Sequence, residues 1–410
     1  MPHRPPCRTI PSPWPVDVRL LYELFSYNSR TTDAQQTSKP RTTFLPKPLT
    51  INPLDAHLHF RLPQSANLSY LCIPNMPFVN QILQHRSLSI VGLEKNTGKT
   101  VCLNYILRRL NELGVPVGVT SIGVDGEQVD SVFATAKPEV TIYEGSRFIT
   151  SEQHYIKRQA VSEIEHVDSR RTALGPLVTA RVLIRGKVLL SGAATTAALR
   201  GQIERLQSIG CRLAIVDGAL SRLSLASPTV TDCMVLATGA AVSANLKQLV
   251  AKTRFVHHLI CLDEVAPALR DTLNPIAEGL WAIDDDGQPH DLGIASVFLI
   301  GNAGNDLLRF GHTLFASGAV SDRLLKALAP LANDITLVAR DFTKLFLTPE
   351  VYNDFTRRGN RLLVLQRSRL VAVTLNPTSP QGFLLDSRNA CGALSDALQT
   401  PVYDVMKITQ

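Results

Sequence analysis

The segment that most limits what this chain can become is Ser87-Leu88-Ser89-Ile90-Val91 followed by Gly92-Leu93-Glu94-Lys95-Asn96-Thr97-Gly98-Lys99-Thr100. A short apolar run stops at a glycine and passes into a loop of small and polar residues. Leu103, Ile106, Leu107, Leu110 and Leu113 then recur at the three-four spacing of an amphipathic helix. Gly114 marks its end, and Val115 to Thr120 reads as a second buried strand. Strand, loop, helix and strand in this order form a βαβ unit.

In that setting Gly98-Lys99-Thr100 has a chemistry. Loop amides freed by small residues wrap a β-phosphate, and the helix N-terminus adds a favourable dipole. Lys99 reaches the β- and γ-phosphates, and the Thr100 hydroxyl ligates Mg²⁺. The nucleotide contacts expected are Gly92, Glu94, Lys95, Asn96, Thr97, Gly98, Lys99 and Thr100, with ATP preferred to GTP and Mg²⁺ as the metal. The fold expected is an α/β P-loop protein with a mostly parallel sheet flanked by helices, plus a C-terminal α/β extension or second domain. Five residues separate Gly92 from Gly98, one more than the usual motif has.

Two further segments carry carboxylates. Leu213-Ala214-Ile215-Val216-Asp217-Gly218-Ala219 is an apolar strand ending in an acid, so Asp217 is placed on the metal. An aspartate capping a strand-to-loop turn is the competing reading, which the loop upstream disfavours. Thr120-Ser121-Ile122-Gly123-Val124-Asp125-Gly126-Glu127-Gln128-Val129-Asp130 leaves the second strand at the end of the sheet that faces the ligand crevice. Asp125 and Glu127 are expected beside Lys99 as catalytic groups, with Asp125 also near the metal; an ordinary Asp-Gly turn is the competing reading. His257-His258 and Arg222 read as structural and surface residues. Asn376, between a strand and Pro377, could read a base, and the sequence leaves that open.

Elsewhere the pattern predicts a hairpin of 178–184 with 187–190 around Arg185-Gly186, a helix over 195–209 and strands at 212–216 and 233–237. A helix through Val250 follows. Further on come strands at 296–300, 335–338 and 370–375 and a helix over 318–328. Asp284-Asp285-Asp286-Gly287 resembles the start of a calcium loop, but Ala295 stands where the closing glutamate belongs, so it reads as a polar turn.

The prolines of residues 1–75, among them Pro2, Pro5, Pro6, Pro11, Pro13 and Pro15, break every helical or strand period. That stretch is expected to be a disordered tail or sequence upstream of the true start, with Met76 standing just before the first good strand. A nucleotide-binding domain over 76–258 and a C-terminal α/β region over 259–410 follow. The chain has 410 residues, 45% of them apolar, and a formal charge of +7 without any long Lys/Arg run, while aromatic residues are only 6%. Nucleic acid is therefore not an expected partner, and an anionic small ligand is. The seven cysteines are odd in number and lack CxxC spacing, which points to a reducing compartment rather than a disulfide framework. No apolar run approaches bilayer-spanning length and no secretory signal opens the chain, so the expectation is cytoplasmic and without a membrane.

The five-residue loop spacing and Asp217-Gly218-Ala219 resemble dethiobiotin synthetase and the cobyric-acid amidotransferases. In the branch of P-loop proteins to which they belong, a signature lysine stands where this chain has Glu94. A larger set of segments resembles the reactivase subunits of lysine 5,6-aminomutase and related adenosylcobalamin-dependent aminomutases. The set comprises Gly92–Thr100, Thr120-Ser121-Ile122-Gly123, Asp125-Gly126-Glu127, Val216-Asp217-Gly218-Ala219 with Ser221-Arg222, and Ala237-Thr238-Gly239-Ala240. It covers roughly residues 85–250, and more loosely Asn376-Pro377 and Pro401-Val402-Tyr403-Asp404-Val405. The resemblance implies an ATP-dependent chaperone that opens a mutase to release damaged cobalamin, with the aminomutase and a MutS-like ATPase subunit as partners; a homo-oligomer is compatible with it. Two rival readings remain: a dethiobiotin synthetase-like ligase or kinase acting on a small carboxylate, and a nucleotide-sensing interaction module.

Overall fold

A computed structural model describes residues 76–123, 139–218, 227–294 and 304–408. The short helix α1 (Val79–Ile82) leads into strand β1 (Ser87–Gly92), helix α2 (Lys99–Glu112) and strand β2 (Val117–Ser121). There follow β3 (Val140–Ile142), β4 (Arg147–Ser151), α3 (Glu152–Ile156), β5 (Val161–Thr172), β6 (Gly175–Ile184), β7 (Gly186–Val188), α4 (Thr196–Ser208), β8 (Leu213–Gly218), β9 (Cys233–Gly239) and α5 (Leu246–Ile260). The second half holds α6 (Pro267–Leu273), β10 (Leu280–Ile283), β11 (Pro289–Ile294), β12 (Thr313–Ala316), β13 (Val320–Ser321), α7 (Asp322–Leu328) and β14 (Thr336–Ala339). Last come β15 (Leu345–Phe346), α8 (Pro349–Arg357), β16 (Arg361–Val364), β17 (Leu370–Asn376), α9 (Ser387–Leu398) and β18 (Val402–Tyr403).

The protein is α/β, with a mostly parallel central sheet flanked by helices. Nine strands run in the order β18-β17-β9-β1-β8-β2-β4-β6-β5. Every pairing from β18 to β4 is parallel, and β6 and β5 complete the sheet antiparallel. β1 is the middle strand of the parallel run and is buried along its whole length, as a parallel strand covered on both faces must be. Leu88 and Ile90 face a core built on α2, with Cys102, Leu103, Ile106, Leu107 and Leu110. The other face divides: α4 covers Ala214 and Val216, whereas Val91, Met234, Leu236 and Val373 join a larger core that includes α5, α9 and a second sheet.

That second sheet runs β11-β10-β12-β14-β16, with β12, β14 and β16 parallel. The chain beyond residue 258 therefore contributes to both sheets. Residues 280–364 build the second, and β17 and β18 return to extend the first beside β9.

The hairpin expected around Arg185-Gly186 does not form. β7 leaves β6 and pairs with β3, and Gly186 packs so closely on Ala160 that a Cβ there would lie 2.5 Å from its backbone. The partner of β6 is instead β5, whose residues are all exposed or half-buried where their side chains are described. The helix expected from residue 318 starts at Asp322, after the short β13. Asp284 accepts from the amides of Asp286 and Gln288 at 3.1 and 2.8 Å, so the run of aspartates is the turn between β10 and β11. The strand expected at 296–300 lies outside the described residues. Among the described residues no helix is long and apolar enough to cross a membrane.

Candidate nucleotide-loop site at the carboxyl edge of the central sheet

The carboxyl ends of β1, β2, β8, β9 and β17 lie along one edge of the sheet, where an open parallel sheet presents its loops to a ligand. The loop between β1 and α2 is the centre of that edge. Its first residue is tied to the neighbouring strand, since Leu93 N donates to Ala237 O at 2.9 Å. Asn96 (φ 62°) and Gly98 (φ 87°) adopt the left-handed conformation, which curls the loop back toward β1. Inside the curl, Thr97 Oγ1 donates to Glu94 O at 2.9 Å. Gly98 has no side chain to cap α2, and the first-turn amides of a helix have no intrahelical acceptor.

Lys99 folds over Gly92. A Cβ on Gly92 would sit 2.3 Å from Thr97 Oγ1 and 2.9 Å from Lys99 Nζ, so any larger residue would displace the threonine hydroxyl and this lysine. Its ammonium donates to Glu94 O at 3.3 Å. Burial pushes Lys99 below its ordinary pKa; the charge of Asp217 opposes that shift and the charge of Lys95 adds to it. Asp217 is thus within electrostatic reach of Lys99. It occupies β8 beside Ile90 of β1 and Ser121 of β2, and Ser121 Oγ donates to its backbone carbonyl at 3.1 Å. Thr100, half-buried, opens α2 next to Lys99.

The structure brings together Gly92, Glu94, Lys95, Asn96, Thr97, Gly98, Lys99, Thr100 and Asp217. Glu94 and Lys95 are exposed, whereas Thr97 is buried. Asp125, Glu127 and Asp130 lie outside the described residues, as do Ala219, Ser221 and Arg222. His257 and His258 stand apart on α5; the Nε2 of His258 is 2.7 Å from Tyr352 Oη, in keeping with a structural role.

Asn376, left open by the sequence, has a defined place. Its Nδ2 donates to Asn96 O at 3.0 Å, and a Cβ added to Gly98 would meet its own Cβ at 2.8 Å. On its other side Asn376 O accepts from Ala240 N at 2.9 Å, and Gly239 leaves no space behind it. The end of β17 is therefore a brace under the loop. Beside it a cleft is lined by Thr97, Gly98, Asn376, Pro377, Val405 and Met406. The sequence offered one signal for this arrangement, an Asn-Pro pair closing an apolar strand, but nothing local states which loop it supports.

Mg²⁺ is bound through one or two protein groups together with phosphates and water, so Thr100 and Asp217 suffice in kind as protein ligands. Among the described residues no cluster of three or more His, Cys, Asp or Glu side chains that could hold a metal occurs. No family model, curated protein or solved structure matches this chain.

Proposed function

We propose that the chain is a P-loop protein that binds a nucleoside triphosphate, ATP by preference, together with Mg²⁺ on the loop from Gly92 to Thr100. One observation carries this reading: a glycine-bounded loop at the central strand's carboxyl end folds a lysine over its first glycine, beside a strand-end aspartate. Two details support the fit of a phosphate. A Cβ at Gly92 would press on Thr97 Oγ1 and the Lys99 side chain, and among the described residues the buried Asn96 Nδ2 has no hydrogen-bond partner, a donor to which a phosphate could bind. The loop amides and Lys99 would hold the phosphates, and Thr100 with Asp217 would hold the metal. The cleft against Asn376, Pro377, Val405 and Met406 is the place for the base, because it adjoins the loop on the side away from β8. Bound Mg²⁺ would neutralise charge on the phosphates. The chain's own part is to position those phosphates, through Lys99 and a loop braced by Asn376.

Beyond nucleotide binding, we propose on the sequence resemblance that hydrolysis serves reactivation of an adenosylcobalamin-dependent aminomutase, with a MutS-like ATPase subunit as co-partner. The test is affinity purification of the full chain from its own cells with ATP present, followed by ATPase assays with and without what is recovered. Recovery of an aminomutase that stimulates turnover supports the reading. Rapid ATP use with a small carboxylate and no protein partner assigns the chain to the ligase class instead, and tight binding without turnover in either assay assigns it to a sensing module.

A further inference from the structure

We infer that Lys252 of α5 is a second phosphate-binding cation of this loop, restrained at its rim by Glu94; the inference rests on the nucleotide reading above. The elements that carry the two residues are pinned to adjacent positions of one strand. Leu93, next to Glu94, donates its amide to Ala237 of β9, and Thr253, next to Lys252, shares a buried hydrogen bond of 2.8 Å with Thr238 of β9. Helix side chains lean toward the N-terminus of their helix, and α5 begins at the carboxyl edge of the sheet. Lys252 accordingly reaches back, donating from Nζ to Val242 O at 3.2 Å, with Glu94 Oε1 3.9 Å away. Glu94 is flanked by two ammonium groups: Lys99 on its carbonyl oxygen and Lys252 on its carboxylate.

The contact with Glu94 is easily given up. Both side chains are about half exposed, at 57% for Lys252 and 49% for Glu94, and exposed ion pairs of this kind contribute little. A charge-assisted bond to phosphate is worth on the order of ten- to hundred-fold in affinity. A triphosphate at the loop and the carboxylate of Glu94 therefore compete for one ammonium, and the phosphate wins. Lys252 has the flexible stem and rotatable donors for such a move. A cation supplied from α5 also adds positive charge where the loop itself carries the acid Glu94.

The experiment is calorimetric titration of the full chain with Mg·ATP, Mg·ADP and a non-hydrolysable ATP analogue. Lys252→Gln, Glu94→Gln and the double variant are compared with the unaltered protein. Lys252 is exposed on a helix, so the substitution leaves the fold intact, which circular dichroism checks. The inference predicts that Lys252→Gln weakens ATP and the analogue roughly tenfold or more, with a steeper loss for the triphosphates than for ADP. Glu94→Gln tightens ATP in the unaltered background and tightens it less when Lys252 is absent. Equal ATP affinity with and without Lys252 overturns the inference, as does a Glu94→Gln gain that is the same in both backgrounds. Lys99→Ala keeps the two claims distinguishable: undiminished nucleotide binding in that variant removes the nucleotide loop itself, whatever Lys252 does.

Discussion

Gly98→Ala separates the two constraints that shape the loop. At φ 87° an alanine costs about 1–2 kcal/mol of left-handed backbone strain. Its Cβ would also meet Asn376 Cβ at 2.8 Å. Asn376 cannot retreat, because its carbonyl is held by Ala240 N and a Cβ at Gly239 would already be 2.2 Å from that oxygen. The clash adds about 1–3 kcal/mol, in the range of core overpacking. Gly114 provides the control: it has φ 65° at the end of α2 and, among the described residues, nothing within 4 Å of an added Cβ, so Gly114→Ala carries the backbone strain alone. Urea unfolding with unchanged slope should place Gly98→Ala about 1–3 kcal/mol below Gly114→Ala. Replacing Asn376 with glycine in the Gly98→Ala chain should recover most of the difference. ATP affinity should fall in Gly98→Ala and hold in Gly114→Ala. Equal destabilisation of the two alanine variants, within about 0.5 kcal/mol, would refute the claim that Asn376 bounds the loop.

Three other outcomes follow from the same structure. Asn376→Ala removes the bond to Asn96 O but keeps the Cβ, so ATP should bind roughly two- to tenfold more weakly by calorimetry while thermal stability changes little. Burial lowers the pKa of both His257 and His258 in the folded chain, so the unfolded chain binds their protons first. Stability should therefore be lost as pH falls from above about 6.5 through the lowered folded values, and denaturant titrations of a His257→Gln, His258→Gln chain should show a smaller loss across that window. Burial pushes the Cys102 and Cys233 thiols up to about 12 and that of Cys211 to about 11. All three should resist a thiol reagent at pH 8 in the native protein and react on unfolding, as read by peptide mass mapping.

The central strands were legible because they are buried on both faces. Ser87–Gly92, Leu213–Gly218 and Cys233–Gly239 are compact apolar runs, and α2 shows its apolar stripe in the spacing from Leu103 to Leu110. β5 was not legible for the opposite reason. It is an edge strand in which Glu163, Glu165 and His166 replace the expected alternation, and its acids face basic residues across the strands: Arg181 pairs with Glu163 at 2.6 Å and Arg147 with Glu165 at 2.9 Å. The nearness of the loop, Lys99 and Asp217 was legible because strand-loop-helix order fixes where strand ends lie. The brace was not. Asn376 and Asn96 are 280 positions apart, and only the return of β17 to the side of β9 brings them into contact. Lys252 was hidden in the same way, since its nearness to Glu94 depends on how α5 docks on β9 rather than on any motif.

On this reading the loop from Gly92 to Thr100 binds a nucleoside triphosphate through Lys99. Calorimetric titration of ATP with Mg²⁺ into the unaltered protein and into Lys99→Ala tests it most directly. The former should bind saturably at one to one and the latter at least about tenfold more weakly, the cost of losing a charge-assisted bond to phosphate. Equal affinity in the two proteins, or no binding in the unaltered one, would contradict it.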